Sequence, residues 1–187
     1  MPTRALPLAM FATVLAATAC TGQQEEPAID PMQEMEEYEQ EGSGGEDTGQ
    51  TATADLGDTV DLGDGLTISM VDLRREIAED GFNSTTGEEG ALPYVAWSWE
   101  LTNNTGADLQ LGGTTSACHV GDPLAETEQP HLGTSLNPPD TLADGQTATW
   151  EADCWMDEEE TALQYTLDLY TPDSTLLYTV TFAGDVP

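Results

Sequence analysis

The chain has 187 residues, of which 36 are Asp or Glu and three are Lys or Arg, so its formal net charge at pH 7 is −33. Its length allows one ordinary domain plus additional segments. A surface this negative repels phosphate backbones and anionic headgroups, which argues against nucleic acid and against direct electrostatic membrane binding. Cations and basic proteins are the partners that it attracts.

Residues 1–19 have the pattern of an export signal. Arg4 precedes an apolar stretch at residues 5–15 that is too short to span a bilayer, and small residues follow it. Cys20 comes next, and residues 15–20 (LAATAC) resemble the lipobox of bacterial lipoproteins, except that Ala17 stands where that family usually has Leu. The resemblance implies lipid on Cys20. We therefore expect a signal peptide at residues 1–19 and a protein anchored in the cell membrane, facing the extracellular side.

The three cysteines of the chain support the same interpretation. In an exported protein an odd cysteine stays unpaired unless another reaction consumes it. Lipidation of Cys20 leaves Cys118 and Cys154, which we expect to form a structural disulfide. A metal site that adds the neighbouring His119 is the alternative, but these residues lack the close paired spacing of a zinc site.

Residues 20–55 are predicted to form a disordered acidic linker that begins at the lipidated cysteine. Residues 21–55 contain eleven acidic residues, no basic residue and few apolar side chains. Such a segment cannot bury enough surface to offset the entropy lost on ordering. Repulsion between its carboxylates favours extended conformations. The linker would lift the following domain away from the membrane.

Residues 56–187 show short runs of alternating apolar side chains separated by turn residues, which is the pattern of antiparallel strands. The clearest run has Val95, Trp97, Trp99 and Leu101 on one face. Four more runs have the same alternation: Leu66, Ile68 and Met70; Ala148, Trp150, Ala152 and Cys154; Leu163, Tyr165, Leu167 and Leu169; and Leu176, Tyr178, Val180 and Phe182. Weaker strands are predicted at residues 59–62, 109–111 and 116–120.

These runs predict an all-β domain, an antiparallel β-sandwich of about seven or eight strands that buries its apolar faces between two sheets. No helical period is long enough for the crossovers of a parallel sheet. Residues 76–92 and 121–141 are predicted to be long polar loops. Such loops are common recognition elements.

Residues 57–68, 94–105 and 142–148 are similar, in order and spacing, to a bacterial domain-of-unknown-function family. Its members are immunoglobulin-like lipoprotein domains related to secreted immunoprotective antigens. The resemblance implies an immunoglobulin-like sandwich and an extracytoplasmic location. It implies no activity or site, so no functional residue is carried over. The Cys118 and Cys154 positions do not fit the B-to-F disulfide spacing of antibody domains.

Residues with catalytic or metal-binding chemistry are few. His119 and His131 are the only histidines, and no nucleophile elbow, zinc-protease helix or phosphate loop occurs. The acidic run at residues 157–160 could supply oxygens to Ca²⁺, but it lacks the alternating spacing of a calcium loop, so we interpret it as a solvated turn. We expect no metal, cofactor or catalytic residue. Trp155 has the opposite parity to Cys154 and is predicted to point outward, as an exposed contact residue.

The leading functional hypothesis is a monomeric, non-catalytic module that binds a protein or envelope partner through loops or a sheet edge, while lipid on Cys20 holds it at the membrane. The binding face and the ligand are left open. A passive acidic envelope component suited to high salt is the first alternative. An enzyme that uses unmarked carboxylates is the second.

Overall fold

The structure is a computed structural model that describes residues 49–187. The predicted signal peptide, Cys20 and most of the predicted linker lie outside these residues. The described chain consists of strands and connecting segments, with no helix in residues 49–187. The strands are β1 (Gln50–Asp55), β2 (Thr59–Gly63), β3 (Leu66–Asn83), β4 (Glu88–Asn103), β5 (Leu109–Gln110), β6 (Gly113–Val120), β7 (Ala125–Thr127), β8 (Thr141–Leu142), β9 (Gln146–Trp155), β10 (Ala162–Tyr170) and β11 (Leu176–Asp185).

The strands form two main sheets and one small one. Sheet A has the order β1-β11-β10-β6-β7, sheet B has the order β2-β3-β4-β9, and β5 pairs with β8. All pairs are antiparallel except β1 with β11, which is parallel. The predicted all-β class and sandwich architecture are confirmed. The predicted strand number is too low, because β1 and the short strands β7 and β8 give no clear apolar alternation, whereas the weaker strand predicted at residues 109–111 is present as β5.

The core lies between sheets A and B and is organised around two tryptophans of β4. Trp97 and Trp99 are fully buried. The ring of Trp97 lies 4.8 Å from that of Tyr165, and the ring of Trp99 lies 5.3 Å from that of Phe182. Since Tyr165 and Phe182 belong to the other sheet, these aromatic contacts join the two layers. The predicted inward faces are confirmed, except that Leu176 and Tyr178 at the start of β11 are only half-buried.

A disulfide links the sheets directly. Cys118 of β6 and Cys154 of β9 are bonded with an S–S distance of 2.00 Å and a Cα–Cα distance of 6.4 Å. Both cysteines are buried, at 1% and 0% exposure. The predicted pairing of Cys118 with Cys154 is confirmed.

The predicted end of the linker is wrong by six residues, because β1 lies inside the predicted disordered segment. β1 pairs in register with β11 from Gln50 and Tyr178 to Asp55 and Ala183. Ala52 and Ala54 pack against the core from one face of β1. Threonine and alanine alternate here, so the segment lacks the large apolar side chains by which a strand is recognised in sequence. The edge of β11 nevertheless supplies backbone partners that favour an extended chain.

The loop predicted at residues 76–92 is also wrong, since this segment continues β3 and β4 as a long hairpin. The pairing register shifts twice, between Val71 and Arg74 and between Ala78 and Gly81. At each shift β3 contains one more residue than the facing part of β4. Such bulges break the apolar alternation that marks a strand in sequence, and they bend the hairpin. Residues 121–141 remain mostly irregular, as predicted, apart from β7 and the edge strand β8.

Replacing Cys118 and Cys154 together by alanine should lower the free energy of unfolding by about 3–4 kcal/mol, because the bond closes a loop in the unfolded chain. The sequence separation that it closes is 36 residues. Urea denaturation of the full chain measures the difference, and wild-type protein unfolded with reductant should match the double variant. A double variant as stable as the oxidised wild type would contradict the structural role of the bond.

Candidate functional site

The part of the β3–β4 hairpin formed by residues 76–92, here called the arm, projects past the end of β9. The pairing of β4 with β9 ends at Tyr94 and Trp155, whereas β3 and β4 stay paired out to Asn83 and Glu88. The arm is therefore a two-stranded extension of a four-stranded sheet. A projection of this kind needs its own contacts to be held in place.

Trp155 supplies the main contact that holds the arm. Its side chain has the predicted outward parity, but the residue is only 5% exposed. Its ring meets that of Tyr94 edge-on at 6.1 Å, and Ala78 and Leu92 of the arm pack on the same cluster. An added Cβ at Gly81 would lie 3.0 Å from the Trp155 ring, so glycine permits this close approach. The prediction of an exposed Trp155 is wrong because the bent arm covers it.

The arm's turn is held by Glu128, the residue that follows β7. The Ser84 backbone N–H and hydroxyl both donate to the carboxylate of Glu128, at 2.7 and 2.9 Å. The buried Asn83 side chain accepts from the N–H groups of Thr85 and Thr86, at 3.0 and 3.2 Å. The arm is thus fixed at its root by Trp155 and at its turn by Glu128.

The opposite side of the arm carries two apolar side chains in solvent. Ile77 is 53% exposed and Phe82 is 55% exposed. Gly81 faces Trp155 and Ala78 packs on the same cluster, so the adjoining residues Phe82 and Ile77 point to the other side, because side chains alternate along a strand. Large apolar side chains held on a fixed backbone are a common feature of contact surfaces.

Residues 128–135, here called the strap, cover the outer edge of β9. The Trp155 N–H donates to the Glu128 carbonyl at 3.1 Å, and the Glu151 N–H donates to the Ser135 carbonyl at 2.6 Å. These bonds satisfy edge groups that would otherwise be open to another strand. The strap also joins the two sheets, since the Gln129 side-chain oxygen accepts from the hydroxyls of Ser116 and Tyr165, at 3.0 and 2.8 Å.

Asp153 holds the middle of the strap. The carboxylate is 2% exposed and accepts the consecutive N–H groups of His131 and Leu132, at 2.7 and 2.6 Å. His131 has a φ of 56°, in the left-handed region, which turns these two N–H groups toward the same carboxylate. Two charge-assisted hydrogen bonds offset much of the cost of burying the charge.

Glu151 plays the same part at the end of the strap. It accepts from the backbone N–H and the hydroxyl of Thr134, at 2.7 and 3.0 Å. These hydrogen bonds, first that of the backbone N–H, hold the pKa of the Glu151 carboxyl below its usual range. The carboxylate contributes stability at pH values above its unfolded pKa, and the contribution is lost as the pH falls through the lower folded pKa.

A polar cluster lies between the arm and the strap. Glu76 accepts from the Tyr94 hydroxyl and from Arg74 Nε, each at 2.5 Å, and Arg74 lies 3.9 Å from Glu151. The two hydrogen bonds, that of Tyr94 first, hold the pKa of Glu76 below its usual range. Burial, together with the bond to Glu76, raises the pKa of Tyr94 to about 12. The cleft between these residues and the strap measures about 110 Å³, small for a ligand pocket.

Arg75 points to the other side of β3 and fixes the acidic turn at residues 157–160. Its guanidinium donates to the carbonyls of Asp157 and Glu160, at 3.3 and 2.5 Å. The Glu160 carboxylate in turn accepts the Asp157 N–H at 2.9 Å. The predicted charged turn is confirmed as a turn, and its backbone oxygens bind an arginine. Beside it lies an open cleft of about 340 Å³, lined by Ile77, Met156, Glu158 and neighbouring residues.

The two histidines have separate surroundings. His119 lies in β6, paired with Gln164 and Glu126, and its Nδ1 is buried without a hydrogen-bond partner among residues 49–187. His131 is exposed in the strap, and its backbone N–H, not its ring, contacts Asp153. Within the described chain no group of three or more metal-binding side chains is assembled. No helix of that part of the chain is long and apolar enough to cross a membrane.

Comparison with protein families, curated proteins and solved structures gives no match for this chain. The resemblance to immunoglobulin-like lipoprotein domains and the lipidation of Cys20 stay predictions. The candidate site therefore depends on the geometry of the arm, the strap and the cluster between them.

Replacing Asp153 by alanine should lower the free energy of unfolding by about 2–4 kcal/mol, because two backbone donors lose their partner. Limited proteolysis should then cut the strap first. Glu151→Gln, at a more exposed site with the hydroxyl contact retained, serves as the control and should change stability much less. An unchanged proteolysis pattern in the Asp153 variant would show that the strap is held by other contacts.

Replacing Glu76 by glutamine should lower the pKa of Tyr94 from its value of about 12 toward the ordinary tyrosine value. The shift should be partial, because burial is the larger cause and remains in the variant. NMR titration of ring-labelled tyrosine measures it. Tyr165, whose pKa burial also raises to about 12, should not move and serves as the internal control.

Proposed function

We propose that the protein is a lipid-anchored, extracytoplasmic module that binds a protein partner through its arm and catalyses no reaction. Lipid on Cys20, inferred from the lipobox-like residues 15–20, would hold it at the membrane. The immunoglobulin-like lipoprotein domains that the sequence resembles support the same location. The acidic segment between Cys20 and β1 would give the domain reach.

The observation that carries this proposal is the construction of the arm. Its inner side is packed on Trp155 and its turn is bonded to Glu128, so its backbone is fixed. Its outer side nevertheless leaves Ile77 and Phe82 more than half exposed. Single exposed apolar residues are ordinary, but the arm is a braced projection that exposes two of them on one side, where binding would bury them.

Charge indicates the chemistry of the partner. The arm carries Glu79, Asp80, Glu88 and Glu89, all exposed, and no basic residue. Arg74 and Arg75, next to the arm, are engaged with Glu76 and with the carbonyls of the acidic turn. A second copy of the domain would meet this surface with like charge. A basic protein surface with apolar residues is complementary to it, and the same argument supports a monomer.

The alternative of a passive acidic envelope component is favoured by one observation, the large excess of Asp and Glu over Lys and Arg in the chain. Counter-ions screen such charges in concentrated salt, so acidity alone suits a saline exterior. On this hypothesis the side chains of Ile77 and Phe82 would have no partner to contact. Their replacement then distinguishes the two functions.

The test is crosslinking in intact cells of the full chain, followed by recovery of the attached proteins from membranes. Replacing Ile77 and Phe82 together by serine should lower the yield of the crosslinked partner roughly tenfold, as expected for central apolar contacts. The matched control replaces Leu124, which is 45% exposed between β6 and β7 and lies outside the arm and the strap, by serine. This control should leave the yield unchanged. Equal yields from all three proteins would favour the passive component.

The anchor is tested in the same cells. Cys20→Ser should release the protein from the membrane fraction, and mass spectrometry of the wild type should find a lipidated N-terminal cysteine. The purified Cys20 variant should still bind the partner in solution, because the arm is intact. An unmodified mature N-terminus would contradict the lipid anchor. The binding role of the arm would still be decided by the crosslinking result.

A further inference from the structure

We infer that the arm binds its partner by strand addition, taking a short extended segment with apolar residues at its centre and Lys or Arg at its ends along the free edge of β3. This inference rests on the proposed function and specifies how the arm would act. It is based on three features of β3: an unpaired edge, a regular stretch between two bulges, and a cleft beside that stretch.

Within residues 49–187, one edge of β3 is open over most of its length. β2 pairs with β3 only as far as Ser69, while β4 occupies the other edge out to Asn83. No other strand of residues 49–187 lies beside β3, and no backbone hydrogen bond from a described loop or turn reaches Arg74–Ala78. In an antiparallel pair, alternate residues turn their N–H and C=O groups away from the partner strand. Those of β3 are directed to an edge where another strand can bind.

The two bulges limit the usable edge to a short segment. Between them, Arg74 to Ala78 pair without interruption with Ala96 to Leu92. Beyond each bulge the direction of the backbone groups changes, so a long strand could not stay in register. The bulges therefore prevent extended pairing of this edge with other chains, which would lead to aggregation. They leave room for about five residues of a bound segment.

The cleft of about 340 Å³ lies beside the same five residues. Arg75 and Ile77 line it from one face of β3, with Pro93 and Met156 as apolar neighbours and Glu158 as an acidic one. A strand added at the edge would project every second side chain over this cleft. An apolar side chain there would cover Ile77, and a basic residue two positions along the segment, on the same face, would lie near the Glu158 carboxylate.

Acidic residues flank the stretch at both ends. Asp72 precedes it, and Glu79 and Asp80 follow it; all three are exposed and none is in a salt bridge with the arginines of the described chain. A second copy of β3 in antiparallel pairing would set Asp72 opposite these acids, at a cost in free energy. A segment with Lys or Arg at its ends would instead gain from both clusters. Charge therefore selects a basic segment of another protein over self-association.

The experiment uses the full mature chain and a displayed library of random peptides roughly seven residues long, a typical strand length. Enriched peptides should have Val, Ile or Leu at alternate central positions and Lys or Arg outside them. Synthetic copies are then methylated at one backbone nitrogen at a time. Strand addition predicts an alternating result. Methylation at every second nitrogen should lower the peptide's affinity roughly tenfold, because each hydrogen bond that is blocked costs about 1–1.5 kcal/mol. Methylation at the nitrogens between them should leave the affinity unchanged.

Amide hydrogen exchange by NMR locates the contact on the protein. Alternate amides within residues 74–78 should become protected when the peptide binds, and the same pattern should persist in Leu124→Ser. Strand addition would be contradicted if no peptide is enriched, or if methylation lowers the affinity without alternating between successive nitrogens. It would also be contradicted if the peptide protects amides outside residues 74–78, or if the protein dimerises through these amides. The arm's role is judged separately, by whether cellular crosslinking depends on Ile77 and Phe82, so the two proposals can fail independently.

Discussion

The carboxylates of this domain receive hydrogen bonds from neutral N–H and O–H donors far more than from cations. These hydrogen bonds hold the elements of the candidate site in place. The described chain has only Arg74 and Arg75 as permanent cations. Charge-assisted hydrogen bonds to backbone amides are about twice as strong as neutral ones and require no basic side chain. Asp153 and Glu151 use them to hold the strap, and Glu128 uses them to hold the arm's turn. The acidic composition is thereby turned into a means of fixing loops.

The two arginines are both placed where the arm leaves the sandwich. Arg74 lies on the strap side, bonded to Glu76 and near Glu151, and Arg75 lies on the opposite side, bonded to the acidic turn. Since successive residues of a strand face opposite ways, one dipeptide braces both sides of the arm's root. With Trp155 packed on the arm, the projection becomes an extension of the rigid sheet. A fixed apolar surface loses less entropy on binding than a mobile loop would.

The sequence was sufficient for the parts of the fold that depend on burial between two sheets. The alternation around Trp97 and Trp99 shows which side chains face the core. Cys118 and Cys154 are the pair that remains when Cys20 is assigned to the predicted lipidation. It was insufficient wherever a strand is stabilised by something other than an apolar face. β1 is held by the edge of β11 and by small alanines, and residues 76–83, three of which are acidic, continue β3 through a bulge. β1 is predicted as linker because its partner β11 lies far away in sequence, whereas residues 76–83 are predicted as loop because the bulge breaks the apolar alternation.

Trp155 shows most clearly why the candidate site could not be predicted residue by residue. Its parity along β9 correctly places the ring on the outer face, but exposure depends on whether another element crosses that face. The covering element is the arm, whose course is set by two bulges and by the absence of a side chain at Gly81. The sequence therefore predicts a contact surface at a residue that the arm buries. The same crossing turns the opposite side of the arm, with Ile77 and Phe82, toward solvent. The residues offered for binding are thus a consequence of covering Trp155.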